Sequence, residues 1–149
     1  MEKLHYLVIH CTDTPAGRFV TRKDIEQWHL VERGWSKLGY SDMVHLDGSI
    51  ENLTPYNEDD YVENFEITNG TRGYNTRSRH VVYVGGGSGI DTRTIAQKEA
   101  LEKYVMNTIK NHPTIKVVGH HQLSTKKCPS FNVPEWLQSI CVTSKNILK

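Results

Sequence analysis

The chain has 149 residues, 37% hydrophobic and 23% charged, which suffices for one domain around a single core and is too short for two ordinary ones. Eighteen Lys and Arg against 17 Asp and Glu leave a formal net charge of +1, so there is no basic footprint for nucleic acid. No apolar run approaches the length of a membrane span, so membrane insertion is not expected.

In chain order, the apolar run from Leu4 to His10 reads as a short buried strand. Its alternation puts His10 on one face with Leu4, Tyr6 and Val8, and turns Cys11 to the other. Residues 12–17 (Thr-Asp-Thr-Pro-Ala-Gly) are too rich in turn formers for regular structure. Thr21 with Asp24 forms a capping-box pattern that opens a helix to about Glu32, with Ile25, Trp28 and Val31 or Glu32 as its buried stripe and Gly34 as its end. Asp42–His45 and Ser49–Asn52 flank Leu46-Asp47-Gly48, a hairpin signal. Residues 54–79 are polar and irregular and read as a long loop lining a groove.

A strand follows over His80–Val84. The run Gly85-Gly86-Gly87-Ser88-Gly89 lacks the Lys-Ser or Lys-Thr of a phosphate loop and reads as a glycine turn. From Thr92 or Thr94 to Asn111, Ile95, Leu101, Tyr104, Val105, Thr108 and Ile109 recur at helical spacing, and Pro113 stops the pattern. Ile115–Val118 is a further strand, and a last helix starts near Pro134 and buries Trp136, Leu137 and Ile140. Strands alternating with helices, plus one hairpin, predict an α/β domain with a central mixed β-sheet flanked by about three helices.

The chemistry concentrates at two strand ends. His10 closes the first strand; His120 and His121 follow the strand at 115–118, and Cys128 lies a few residues on. Two neutral imidazoles and a thiolate suit zinc, and three protein ligands leave the fourth tetrahedral position open for water, as in a hydrolase. The bland alternative is a hydrogen-bonded core histidine and a buried thiol. Local pattern does not choose between His120 and His121.

The surroundings add specificity. Val8-Ile9-His10-Cys11-Thr12, Ile25-Glu26-Gln27-Trp28-His29, Gly34-Trp35-Ser36-Lys37-Leu38-Gly39-Tyr40, Asp47-Gly48-Ser49, Arg72-Gly73-Tyr74-Asn75, Val84-Gly85-Gly86 and His120-His121 through Cys128-Pro129-Ser130-Phe131 occur in this order. Together they resemble the zinc-dependent N-acetylmuramoyl-L-alanine amidase family, which includes phage amidase-type lysozymes and peptidoglycan recognition proteins. The resemblance runs from about residue 6 to residue 137. It implies a mixed sheet with helices packed on it and a Zn2+ cofactor held by His10, His120 and Cys128, with His121 left to packing or to support of the ligands. It implies Tyr40 and Lys126 as the catalytic groups for an oxyanion and a departing amine. Lys126 stands two residues before Cys128, so an extended segment points both the same way and Lys127 elsewhere. The implied reaction is hydrolysis of the amide between N-acetylmuramic acid and L-alanine of the stem peptide, with peptidoglycan as the substrate. The alternative within the family is a peptidoglycan-binding module that no longer cleaves. Such modules typically lose the cysteine ligand, and Cys128 is present.

Three positions depart from the family pattern. Ser41 replaces a histidine after the tyrosine; Asn69-Gly70-Thr71 stands where phage relatives carry a histidine; and Ser78-Arg79-His80 replaces Ser-Ile-Gly. His80 and His45 are candidates to replace lost polar groups, with solvated strand positions as the plainer reading of both. Cys11 and Cys141 are expected as buried free thiols, in keeping with a reducing compartment. No secretory signal is visible at the N-terminus, which predicts cytoplasmic synthesis and action on the cell wall after release or by a separate export route, as expected of a phage or prophage endolysin. A monomer is expected.

Overall fold

The computed structural model describes residues Met1–Lys149. Its strands are β1 (Glu2–Lys3), β2 (Tyr6–Cys11), β3 (Asp42–Val44), β4 (Ile50–Asn52), β5 (Tyr61–Val62), β6 (Ser78–Tyr83) and β7 (Lys116–Gly119); its α-helices are α1 (Arg22–Glu26), α2 (Ile95–Asn111) and α3 (Val133–Ser139). Five strands form one sheet in the order β4-β3-β6-β2-β7, and β1 pairs with β5 apart from it. Within the sheet β3, β6, β2 and β7 are parallel, and β4 alone returns antiparallel to β3. The mixed sheet with three α-helices expected from the sequence is the fold observed.

Both faces of the sheet are covered, which is why its parallel strands read as nearly continuous apolar runs. One face presents Leu7, Ile9, Cys11, Val81, Tyr83 and Val117 to α2 and α3, where Leu101, Val105, Val133 and Leu137 complete the larger core. The other presents Met43, Val82 and Val84 to Ile25 of α1, with Val20, Leu38 and Leu53. Alternation along the strands and the pairing of Val8 with His80 and of His10 with Val82 put both histidines on this second face. Each fully buried aliphatic side chain here contributes about 1.5–3 kcal/mol relative to exposure.

Several local expectations are corrected. The capping box at Thr21 is present, with Thr21 Oγ1 accepting from the Asp24 N–H at 3.2 Å and Asp24 Oδ2 from the Thr21 N–H at 2.9 Å. However, the α-helix ends at Glu26 and continues as a π-helix over Gln27–Glu32, closed by the Arg33 N–H on the Trp28 carbonyl. The wider turn breaks the 3.6-residue register. His29 is therefore buried, whereas Val31, expected on the buried stripe, is 66% exposed. In α2, Ile95 at the first turn is exposed; Gln97 is buried instead, its amide donating to the Val44 and Val84 carbonyls at 3.3 and 2.9 Å.

The 54–79 segment is more structured than a groove loop. It contains β5, two short 3-10 turns and the start of β6. Its first part is pinned by Asp42, which accepts from the hydroxyls of Tyr56 and Tyr104 at 2.6 Å each, and by Arg79, whose guanidinium lies 3.8 Å from the Tyr56 ring centroid and bonds Glu58. The glycine run after β6 is a turn, as expected. The N–H groups of Gly85 and Gly86 are spent on the hydroxyls of Thr12 and Thr92, and Gly86, at φ 77°, leaves no room for a Cβ against Cys11. All three cysteines are free; Cys11 is buried, but Cys141, expected buried, is exposed beyond the end of α3. No helix is long and apolar enough to cross a membrane.

Candidate active site

The order of the sheet makes the site. The chain leaves β2 toward one side, building β3 and β6, then crosses by α2 to add β7 on the other side of β2. Ligand sites in such sheets lie beyond the carboxyl ends of the parallel strands where the order reverses. Ile9 pairs with Gly119, so His10 near the end of β2 and His120 just past β7 come side by side, their rings 4.7 Å apart. Cys128 enters from the connection between β7 and α3.

The donor atoms of His10, His120 and Cys128 all lie within 4.8 Å of one another. His10 Nδ1 is 3.8 Å from Cys128 Sγ. A tetrahedral zinc ion with ordinary bond lengths would set such a nitrogen and sulfur about 3.6 Å apart, so the donor set fits that ion. The backbone N–H of Cys11 donates to Cys128 Sγ at 3.1 Å, an arrangement that favours a thiolate. Of the adjacent histidines it is His120 that joins the group. His121 packs over Gly119, and its backbone N–H donates to the Cys128 carbonyl at 2.8 Å.

Burial holds the His10 imidazole far below the usual range, helped by His80 and His120 nearby. His120 is also lowered, by burial and then by the Lys126 ammonium. Both rings are thus neutral near pH 7, as a metal requires of its ligands. The neighbouring Cys11 thiol and burial push the Cys128 thiol up and outweigh the opposing Cys11 N–H, so a cation bound here would have to displace its proton.

The three side chains line a cavity of about 470 Å³, which Tyr40 and Lys126 also line. The Tyr40 ring stands 5.4 Å from that of His10. Burial, then the Cys128 sulfur, raise its phenol, which remains a protonated donor. Lys126 is exposed at the cavity wall. Lys127 lines the cavity as well, against the expectation that it points elsewhere; residues 124–127 form no strand, so the alternation of an extended segment does not apply to them. From the 54–79 segment only Asn69 and Gly70 reach the cavity.

Two further residues belong to this site: His29, to which the sequence reading gave no role, and His80, which it named as a candidate to replace lost polar groups while favouring a solvated strand position. His29 packs its ring 5.1 Å from Tyr40 and 4.8 Å from Trp35, and its Nδ1 accepts from the Gly39 N–H at 2.9 Å, fixing the approach to Tyr40. The Gln27-Trp28-His29 stretch was its only signal. His80 is not a solvated strand residue: it is fully buried, with Nδ1 at 2.8 Å from His10 Nε2 and Nε2 at 3.1 Å from Asn75 Oδ1. The burial of both faces of β6 explains the difference. His45 stays off the cavity, partly exposed and 2.9 Å from Glu51.

Comparison with known proteins identifies the family and the fold. A family profile described as N-acetylmuramoyl-L-alanine amidase matches residues 1–131. The endolysin of Klebsiella phage KP32 is 31% identical over 137 residues, covering 87% of this chain and 83% of that protein. An Enterobacteria phage endolysin is 30% identical over 138 residues, covering 88% and 83%. Among solved structures, the N-acetylmuramoyl-L-alanine amidase LysC from Clostridium intestinale superposes with a TM-score of 0.74 at 21% identity, over 95% of this chain and 87% of that one. Drosophila PGRP-LB in complex with tracheal cytotoxin superposes with a TM-score of 0.70 at 22% identity, over 93% and 84%. By the extent of the family match and the phage relatives, the chain belongs to the N-acetylmuramoyl-L-alanine amidase family and is an amidase of that type.

Proposed function

We propose that this peptidoglycan amidase is zinc-dependent and cleaves between the lactyl group of N-acetylmuramic acid and L-alanine of the stem peptide, with residues 1–149 acting as one amidase domain. The observation that carries this reading is the convergence of His10, His120 and Cys128 on one point of a cavity whose wall also bears Tyr40 and Lys126. His10, His120 and Cys128 would hold the zinc ion, which when bound would supply an activated water near neutral pH and Lewis-acid polarisation of an amide carbonyl.

The chain's own groups do the rest. The protonated Tyr40 hydroxyl and the Lys126 ammonium are the donors for charge developing on the carbonyl oxygen, each worth about 10²–10³ in rate if it acts as an oxyanion donor. Lys126 also carries a proton for the departing amine of L-alanine. His29 holds Gly39, and so the start of the Tyr40 side chain, in place. The cavity is open to the surface and lined by polar groups, which suits a glycopeptide better than an apolar ligand. The similarity to phage endolysins supports action on the bacterial wall as a lytic enzyme, and the fold shared with a protein solved bound to tracheal cytotoxin, a peptidoglycan fragment, supports the substrate class.

The test is metal analysis of the purified protein combined with digestion of peptidoglycan. The expected result is about one zinc per chain and new L-alanine amino termini matched by free lactyl carboxyls. Peptidoglycan bound but not cut by the zinc-loaded protein would identify a binding module instead, and cutting by fully metal-free protein would overturn the mechanism.

A further inference from the structure

Of the three positions that depart from the family pattern, Ser41 and Gly70 each meet the third, His80. The Ser41 N–H donates to the His80 carbonyl at 2.8 Å, and the His80 N–H donates to Ser41 Oγ at 3.2 Å. A Cβ at position 70 would overlap His80 Nδ1 and stand 2.5 Å from its Cγ, so the imidazole occupies the space that any larger residue at position 70 needs. The departures are therefore one coupled arrangement, built against the back of His10.

The hydrogen bonds through this arrangement have a fixed direction. The Thr71 N–H donates to Asn75 Oδ1 at 2.8 Å, which marks that atom as the acceptor end of the amide. His80 Nε2 faces the same oxygen at 3.1 Å and so carries its ring proton. A neutral imidazole has one N–H, which leaves a lone pair on His80 Nδ1. His10 Nε2, 2.8 Å away, must then donate to it. The remaining lone pair of His10 is on Nδ1, the atom that faces Cys128 Sγ. The opposite tautomer of His10 would set two lone pairs against each other in a buried site and leave both unsatisfied.

We propose that His80 is a positioning residue that fixes the tautomer and plane of His10, so that the Nδ1 lone pair is presented to the metal, and that Gly70 is required because it makes room for that imidazole. The proposal rests on the zinc reading above. Partners of this kind on a ligating histidine change metal affinity by about 10–100-fold when removed.

The experiment starts from zinc-loaded protein and measures zinc affinity by chelator competition, alongside thermal unfolding and nitrogen-15 spectra of the histidine rings. His80→Ala should lower zinc affinity by about 10–100-fold. His80→Asn, whose side-chain oxygen can stand near the place of Nδ1, should recover most of the loss, which a purely space-filling role does not predict. Gly70→Ala should weaken zinc binding by displacing the ring. In the wild type, His10 and His80 should both carry their ring proton on Nε2. A folded His80→Ala variant with wild-type zinc affinity, or a His10 proton on Nδ1, would overturn the proposal; if His80→Ala does not fold, the wild-type ring spectra and His80→Asn decide it. A wild-type protein that binds no zinc yet shows both Nε2 protons would instead sink the zinc reading and leave the tautomer lock standing.

Discussion

Replacing His29 by Asn tests the electrostatics around Tyr40. His29 is 3% exposed, and its Nδ1 accepts from the Gly39 N–H at 2.9 Å. Burial, with a smaller contribution from Arg33, lowers its pKa from 6.5 to about 4. Between these values the unfolded chain binds the proton and the folded one does not. Stability is therefore complete above the unfolded pKa and is lost as pH falls from 6.5 toward 4. Comparing pH 7 with pH 5, this one group makes the fold less stable at pH 5 by about 2 kcal/mol. Asn offers an amide oxygen near the position of Nδ1 but does not titrate. Urea unfolding of the two proteins at both pH values, with equal zinc loading, isolates the term, because the other titrating groups are common to both. The variant should lose about 2 kcal/mol less than the wild type on acidification. Equal losses in the two proteins would refute the claim that His29 is held neutral by burial.

Cys128→Ser should lose zinc in metal analysis and peptidoglycan cleavage with it, since an alcohol does not ionise as a thiol does. Lys126→Ala and Tyr40→Phe should keep zinc and the unfolding midpoint while the catalytic constant falls by about 10²–10³; wild-type turnover in both would remove them from the mechanism. Asp42→Ala leaves the hydroxyls of Tyr56 and Tyr104 without their acceptor and should cost about 3 kcal/mol of stability, read from denaturant unfolding, with the zinc content of the folded protein unchanged.

Those residues also mark what a sequence reveals here. β2 and β7 were legible because short apolar runs end abruptly in histidine, and the mixed sheet followed from strands alternating with helices. The π-helix was not, because spacing arguments assume 3.6 residues per turn, and that assumption put Val31 rather than His29 in the core. The burial of His80, named from the sequence only as a candidate with a solvated strand position as the plainer reading, was hidden for another reason. A charged residue next to it, Arg79, makes the segment look like a half-solvated strand, yet Arg79 is itself buried, stacked on Tyr56 and paired with Glu58 from a segment that reads as loop. Contacts supplied from far along the chain leave no local periodicity. The choice of His120 over His121 likewise needed either the resemblance or the strand register, since both residues share one sequence neighbourhood.

The register also decides which groups of the site have freedom of position. His10 and His120 are held by the pairing of β2 with β7, and shifting either strand by one residue would turn its histidine to the opposite face. These positions cannot drift singly. The group that supports His10 from behind has no such restriction, because any side chain on the same face of the neighbouring strand or loop can reach it. His80 does so from β6, beside Val8 and two residues from the partner of His10, provided the loop opposite gives up its side chain at Gly70. In this chain the imidazole that meets His10 is thus delivered along β6 into the space left at Gly70, whereas the pairing of β2 with β7 leaves a single backbone route for His10 and His120 themselves.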